Sequence, residues 1–199
     1  MIFEDVTSEY TDLLKIADER KLMGDHGEAI EICESILCDD PYCTEAFEEI
    51  GDNYLSLREF DKAVKALDRA VEINPVSANA HYLLGFTYSA VSDWDESIGE
   101  LEMADELEPN HPEILRCLGW SIFHSGRKRQ GLVILERASY MAQDDSLILC
   151  DLGVCYLNDR QFEKAEDIFM AVLNIEPEND KARECLKACS YFKARISDK

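Results

Sequence analysis

A chain of 199 residues with 42 acidic and 20 basic side chains carries a formal net charge of −22 at pH 7. Nucleic acid and anionic membrane surfaces repel such a field, so neither is expected as a partner. Hydrophobic content of 46% with 31% charged residues marks a globular chain and excludes an intrinsically disordered one.

Residues 1–9, MIFEDVTSE, read as an acidic lead-in. They show no basic segment followed by an apolar run, so no signal peptide is expected. No apolar run approaches the length of a membrane span, and the expected location is the cytoplasm. From residue 10 onward a 34-residue period takes over. Gly51, Gly85, Gly119 and Gly153 recur at that spacing, with Ala17 in the same place one period earlier. Ile50, Leu84, Leu118 and Leu152 precede them, and Tyr54, Tyr88, Ile122 and Tyr156 follow three later. Leu67, Leu101, Leu135 and Phe169 keep phase, as do Ala70, Ala104, Ala138 and Val172. Pro41, Pro75, Pro109 and Pro177 fall on the same grid, whose remaining place holds Gln143.

Five repeats are therefore predicted, over 10–43, 44–77, 78–111, 112–145 and 146–179. Apolar residues within each recur at helical spacing, as in Phe47, Ile50, Tyr54 and then Val64, Leu67, Val71. Each repeat reads as two helices and a short turn, with proline after the second helix. Residues 180–199 read as a capping helix and tail. Ala182, Cys185, Leu186, Cys189 and Phe192 form its apolar stripe, and its outer face is basic.

This pattern resembles the tetratricopeptide repeat family. Its W-x2-L-G-x2-Y…A-x3-F-x2-A…P signature is met by Phe47, Ile50, Gly51, Tyr54, Ala63, Leu67, Ala70 and Pro75. One repeat later it is met by His81, Leu84, Gly85, Tyr88, Ser97, Leu101, Ala104 and Pro109. The repeat at 112–145 departs most, with Ile122, Gly131 and Gln143 for Tyr, Ala and Pro. The resemblance implies an all-α fold, a right-handed superhelical solenoid of antiparallel helix pairs. It also implies a concave groove lined by the first helix of each repeat.

Carried onto this chain, the family's groove positions give Asp18, Glu48, Asp52, Asn79, Tyr82 and Phe86, then Arg116, Trp120, Phe123, His124, Val154, Leu157 and Asn158. The first part of the groove is acidic and the second is largely apolar. Phe86 and Val154 have core burial as the alternative. Arg116, Trp120 and His124 follow i, i+4, i+8 and share one helical stripe. An Arg beside aromatics is the composition of a binding hot spot. The basic and Asn positions of the family's carboxylate clamp hold Leu14, Asp18, Glu48, Asp52, Tyr82 and Phe86, so that clamp is absent.

No phosphate-binding glycine loop, nucleophile elbow or H-E-x-x-H occurs, and the four histidines are scattered. The chain is thus not expected to be an enzyme, and no cofactor is expected. Eight cysteines without a C-x-x-C read as small apolar fillers rather than metal ligands or disulfides. The expected function is a non-catalytic protein–protein interaction module, an adaptor or scaffold. Its partner would be a protein or peptide segment with basic and apolar portions. The alternatives are a homo-oligomer that self-assembles through the basic C-terminal helix, and a chaperone for secreted subunits.

One stretch runs against the acidic field. HSGRKRQG, residues 124–131, places Arg127, Lys128 and Arg129 in the turn between the two helices of the fourth repeat. Charge relief toward Asp93, Asp95 and Glu163 in neighbouring repeats is favoured over an anion site.

Overall fold

The computed structural model describes residues 3–197, with side chains from 10 to 195. These residues form eleven α-helices and no strand. They are α1 (Phe3–Leu22), α2 (His26–Asp39), α3 (Thr44–Ser56), α4 (Phe60–Ile73), α5 (Ala78–Ala90), α6 (Trp94–Leu107), α7 (Pro112–His124), α8 (Lys128–Met141), α9 (Ser146–Asn158), α10 (Phe162–Ile175) and α11 (Asp180–Ser197). The helix starts keep the sequence period. Helices α3, α5, α7, α9 and α11 begin at 44, 78, 112, 146 and 180, and α2 to α10 in steps of two begin at 26, 60, 94, 128 and 162. Helix α1 begins at Phe3, inside the stretch read as a lead-in. Met1 and Ile2 lie outside the described residues.

The chain divides into two compact units, Met1–Leu107 and Glu108–Lys199. In the first, each helix packs on the next from α1 to α6, and α1, α3 and α5 also pack side by side. In the second the same holds from α7 to α11, with α7, α9 and α11 side by side. Short turns between touching helices make each consecutive pair antiparallel. The first unit thus contains three helix pairs, and the second contains two pairs and one further helix.

The apolar phase explains the packing. Leu67, Leu101, Leu135 and Phe169 are fully buried, and Cys33 takes the same place in the first pair. Ala70, Ala104, Ala138 and Val172 are fully buried as well. Each such stripe closes one helix onto its neighbours, which is how a repeat buries a face that it cannot bury alone. The missing proline at Gln143 does not lengthen α8. That helix ends at Met141, and Asp145 caps α9 by accepting from the Leu147 and Ile148 amides at 2.9 and 3.0 Å.

The turn inside every pair needs one left-handed residue. Gly24 (φ 85°), Arg58 (60°), Ser92 (65°), Gly126 (98°) and Arg160 (61°) stand one period apart, and all adopt it. A side chain there costs about 1 kcal/mol, partly offset by the greater unfolded-state freedom of glycine. Ser92→Gly is therefore expected to raise stability by up to about 1 kcal/mol. A urea midpoint unchanged or lowered would contradict this. Six of the eight cysteines are buried filler, while Cys185 is half-buried and Cys38 is exposed. Desolvation pushes the Cys33 thiol up to about 12 and raises those of Cys43, Cys150, Cys185 and Cys189.

Candidate functional site

In the first unit the inner faces of α1, α3 and α5 enclose a cavity of about 480 Å3. Helix α3 supplies the acids Glu45, Glu48, Glu49 and Asp52. The helices on either side supply apolar groups, Leu14 from α1 and Tyr82, Leu83 and Phe86 from α5. The Tyr82 and Phe86 rings stack with centroids 6.4 Å apart, and both are half-buried. One cation, from α1, sits among the acids. The Lys21 ammonium lies 2.9 Å from Glu49, 2.9 Å from Asp52 and 3.1 Å from Asp18. Burial works against its charge, but hydrogen bonds to Asp52, Glu49 and Asp18 outweigh that and hold its pKa above the ordinary value. Glu48 accepts from the Ser77 hydroxyl at 2.5 Å and the Asn79 amide at 2.8 Å. The six predicted groove residues of this unit thus share one region. Lys21 is what holds Asp18, Asp52 and Glu49 together there.

The second unit departs from the expectation in two places. Arg116 is 9% exposed, and its guanidinium bonds Asp151 of α9 at 2.8 Å and Glu113 at 2.9 Å. It ties α7 to α9 instead of facing a ligand. Its stripe partner Trp120 stays half-buried against the core, with its ring 4.3 Å from that of His124. Phe123 is 3% exposed and belongs to the core, where its ring meets Leu132 and Leu135 among others. The reason is geometric: α8 lies so near α7 that position 123 faces it. Val154 and Leu157 are half-buried against the same core, and Asn158 is exposed. A face of Trp120, His124, Val154, Leu157 and Asn158 therefore remains available on α7 and α9.

Desolvation first, and then the nearby Lys128, lower the His124 pKa from its ordinary 6.5, against an opposing pull from Asp151. A base whose pKa falls on folding contributes stability above its unfolded pKa. That contribution is lost as pH drops below about 6.5 toward the folded value. Wild type is expected to lose more stability than His124→Gln between pH 7.5 and 5.5, measured by urea unfolding at each pH. Equal losses would contradict the shift.

The basic turn has a local partner. Lys128 stands 4.0 Å from Asp159, one repeat on, and 5.5 Å from the Phe123 ring centre. Arg127 donates to the Ser125 hydroxyl at 3.2 Å. Asp159, rather than Glu163, is the acid that the turn reaches in the second unit. Charge also divides between the units. The first holds 27 acidic and 7 basic residues, or −20, and the second 15 and 13, or −2. Among the described residues no group of three or more His, Cys, Asp or Glu is placed to hold a metal, and no helix is long and apolar enough to cross a membrane.

Comparison with known proteins agrees with this architecture. A model of the TPR repeat matches residues 51–91, in the first unit, and a model of the tetratricopeptide repeat matches 147–179, in the second. The chain is 26% identical over 156 residues to BBSome complex member BBS4 of Bos taurus. That match covers 78% of this chain and only 30% of the relative, so the chain spans less than a third of its length. The solved structure of PilF from Pseudomonas aeruginosa superposes with a TM-score of 0.82 at 13% identity, covering 96% of this chain and 88% of that one. YrrB, a TPR protein with an unusual peptide-binding site, gives 0.68 at 18% identity, covering 88% and 90%. At such identities the likeness concerns the fold. Helix starts that repeat every 34 residues, a repeat match in each unit and a shared helix-pair fold lead to one conclusion: the chain is a tetratricopeptide repeat protein.

Proposed function

We propose that this chain is a non-catalytic adaptor that holds a partner segment carrying a basic side chain next to an apolar one. The cavity on α1, α3 and α5 is the observation that carries this reading, because a single pocket of about 480 Å3 sets the acids of α3 beside the aromatics of α5. Asp18, Glu45, Glu48, Glu49 and Asp52 outnumber the one ammonium of Lys21, so a further cation is attracted. Tyr82 and Phe86 offer a flat apolar surface for its stem or its neighbour. The second unit adds the face of Trp120, Val154, Leu157 and Asn158 as an apolar contact.

Affinity capture from extracts of the native cell tests the proposal, with wild type and Glu45→Lys as parallel baits. Glu45 is exposed on the rim of the cavity, so its reversal changes the field without emptying the core. Partners retained by wild type and lost from Glu45→Lys are the expected result. Identical retention by both baits would overturn the assignment of this cavity.

A further inference from the structure

A second pocket, of about 570 Å3, opens where the end of α9, the start of α10 and the last turns of α11 meet. Its chemistry is opposite to that of the first. Two arginines, Arg160 and Arg195, stand at it together with Phe162, Tyr191 and Phe192. The Phe162 and Phe192 rings lie 5.8 Å apart and nearly parallel, at 18°, and Tyr191 meets Phe192 edge-on at 5.4 Å. Phe192 completes the apolar stripe of α11 in sequence, yet it is 45% exposed, and Tyr191 is 55% exposed. Phe162 itself is 7% exposed, so the aromatic shelf open to water is made by Tyr191 and Phe192, and such a shelf is the feature of an interaction surface.

The arginines sharpen the reading. Acids outnumber bases two to one in this chain. Lys21, Lys62, Arg69, Arg116, Arg183 and Lys193 each have a carboxylate within 4 Å. Among the described residues, neither Arg160 nor Arg195 has one, as is also true of Arg58, Arg127 and Arg129, but these two alone stand together at an aromatic pocket. Arg195 instead donates to the Tyr191 hydroxyl at 2.6 Å and sits 5.6 Å from that ring's centre. Arg160 is held in the left-handed turn position between α9 and α10, which fixes where its side chain starts. A guanidinium presents a planar fork that fits a carboxylate bidentately, and two of them beside an apolar shelf select for charge and hydrophobicity together.

We propose that this pocket is a docking site for an acidic protein segment bearing an aromatic or aliphatic anchor, the anchor resting on Tyr191 and Phe192 and its flanking carboxylates on Arg160 and Arg195. Charge complementarity chooses this occupant. The second unit carries only −2 of the chain's net charge, so an acidic segment meets little local repulsion there. Screening over about 8–10 Å at physiological salt removes much of the rest. Leu157 and Asn158 line the lip of this pocket and also belong to the apolar face assigned above, and for those two residues the proposal rests on that reading.

The test titrates the isotope-labelled full chain with three blocked hexapeptides, followed by amide NMR shifts. The first is Glu-Asp-Leu-Phe-Asp-Glu, the second Lys-Arg-Leu-Phe-Arg-Lys and the third Glu-Asp-Ser-Gly-Asp-Glu. Saturable shifts at Asn158, Arg160, Tyr191 and Phe192 are expected with the first peptide alone. Arg160→Glu and Arg195→Glu, both at exposed positions, should each weaken that binding at least tenfold while leaving the helical circular dichroism unchanged. The proposal is overturned if the shifts are absent, if the basic peptide produces them equally, or if neither reversal alters them. It is also overturned if wild type alone gains mass with concentration and Arg160→Glu abolishes the gain, since a second copy is then the occupant. Retention of partners through Glu45 is a separate readout, so either reading can fail without the other.

Discussion

Gly131→Ala is expected to lower unfolding free energy by about 2–3 kcal/mol, even after the ~1 kcal/mol that alanine gains in helix propensity. A Cβ at this position would stand 2.5 Å from the Phe123 backbone nitrogen and 2.6 Å from the Gly119 carbonyl oxygen. Those are backbone atoms of α7, so no side-chain rotation relieves the overlap and the helices must separate. The equivalent places in the other pairs hold Ala29, Ala63, Ser97 and Ala165, all fully buried. Helices α7 and α8 therefore approach closely through a pair of glycines, 119 and 131. Gly99 on α6 is the control, because a Cβ there has nothing within 4 Å. Gly99→Ala should stabilise by up to about 1 kcal/mol. Urea unfolding of the two variants should shift in opposite directions, and a neutral Gly131→Ala would refute the close approach.

Arg116→Ala is expected to cost about 3–5 kcal/mol, because it leaves the buried Asp151 carboxylate without its cation. The Arg116 and Asp151 side chains are 11% and 10% exposed, so water does not replace the lost partner. Replacing both, as Arg116→Met with Asp151→Leu, removes charge and cation together. That double variant should recover most of the loss, since an apolar pair of similar size is often as stable as a buried ion pair. A single variant losing less than 1 kcal/mol, or a double variant no better than the single, would contradict this account of the α7–α9 contact.

The periodic part of the fold was legible in the sequence because it depends on single positions that repeat. Leu67, Leu101, Leu135 and Phe169 announce a buried stripe, and the 34-residue grid gives the helix starts. Groove positions were harder, since a family position fixes where a residue sits on a helix and not what its side chain reaches. Arg116 occupies a groove position, but Asp151, 35 residues on, draws it into the interior. Phe123 was misplaced for another reason. Gly131, visible as a departure from the repeat, lets α8 move in and cover it, and that consequence needs three dimensions. Charges pair across repeats in the same way. Lys21 gathers Asp18, Glu49 and Asp52 from two helices, and a count of acids along the chain cannot show that one cation already serves three of them. The pocket at α11 joins Arg160 with Arg195, two residues that share no period and carry no motif.

The affinity of a captured partner for wild type and for Phe86→Ala, measured by titration calorimetry at two salt concentrations, separates binding in this cavity from binding anywhere else on the chain. Phe86 lines the acidic and aromatic cavity of the first unit and is only half-buried. Its loss should weaken binding by about 2 kcal/mol, roughly thirtyfold, and wild-type affinity should fall as salt rises. An affinity indifferent both to Phe86→Ala and to salt would place the partner elsewhere and contradict the account.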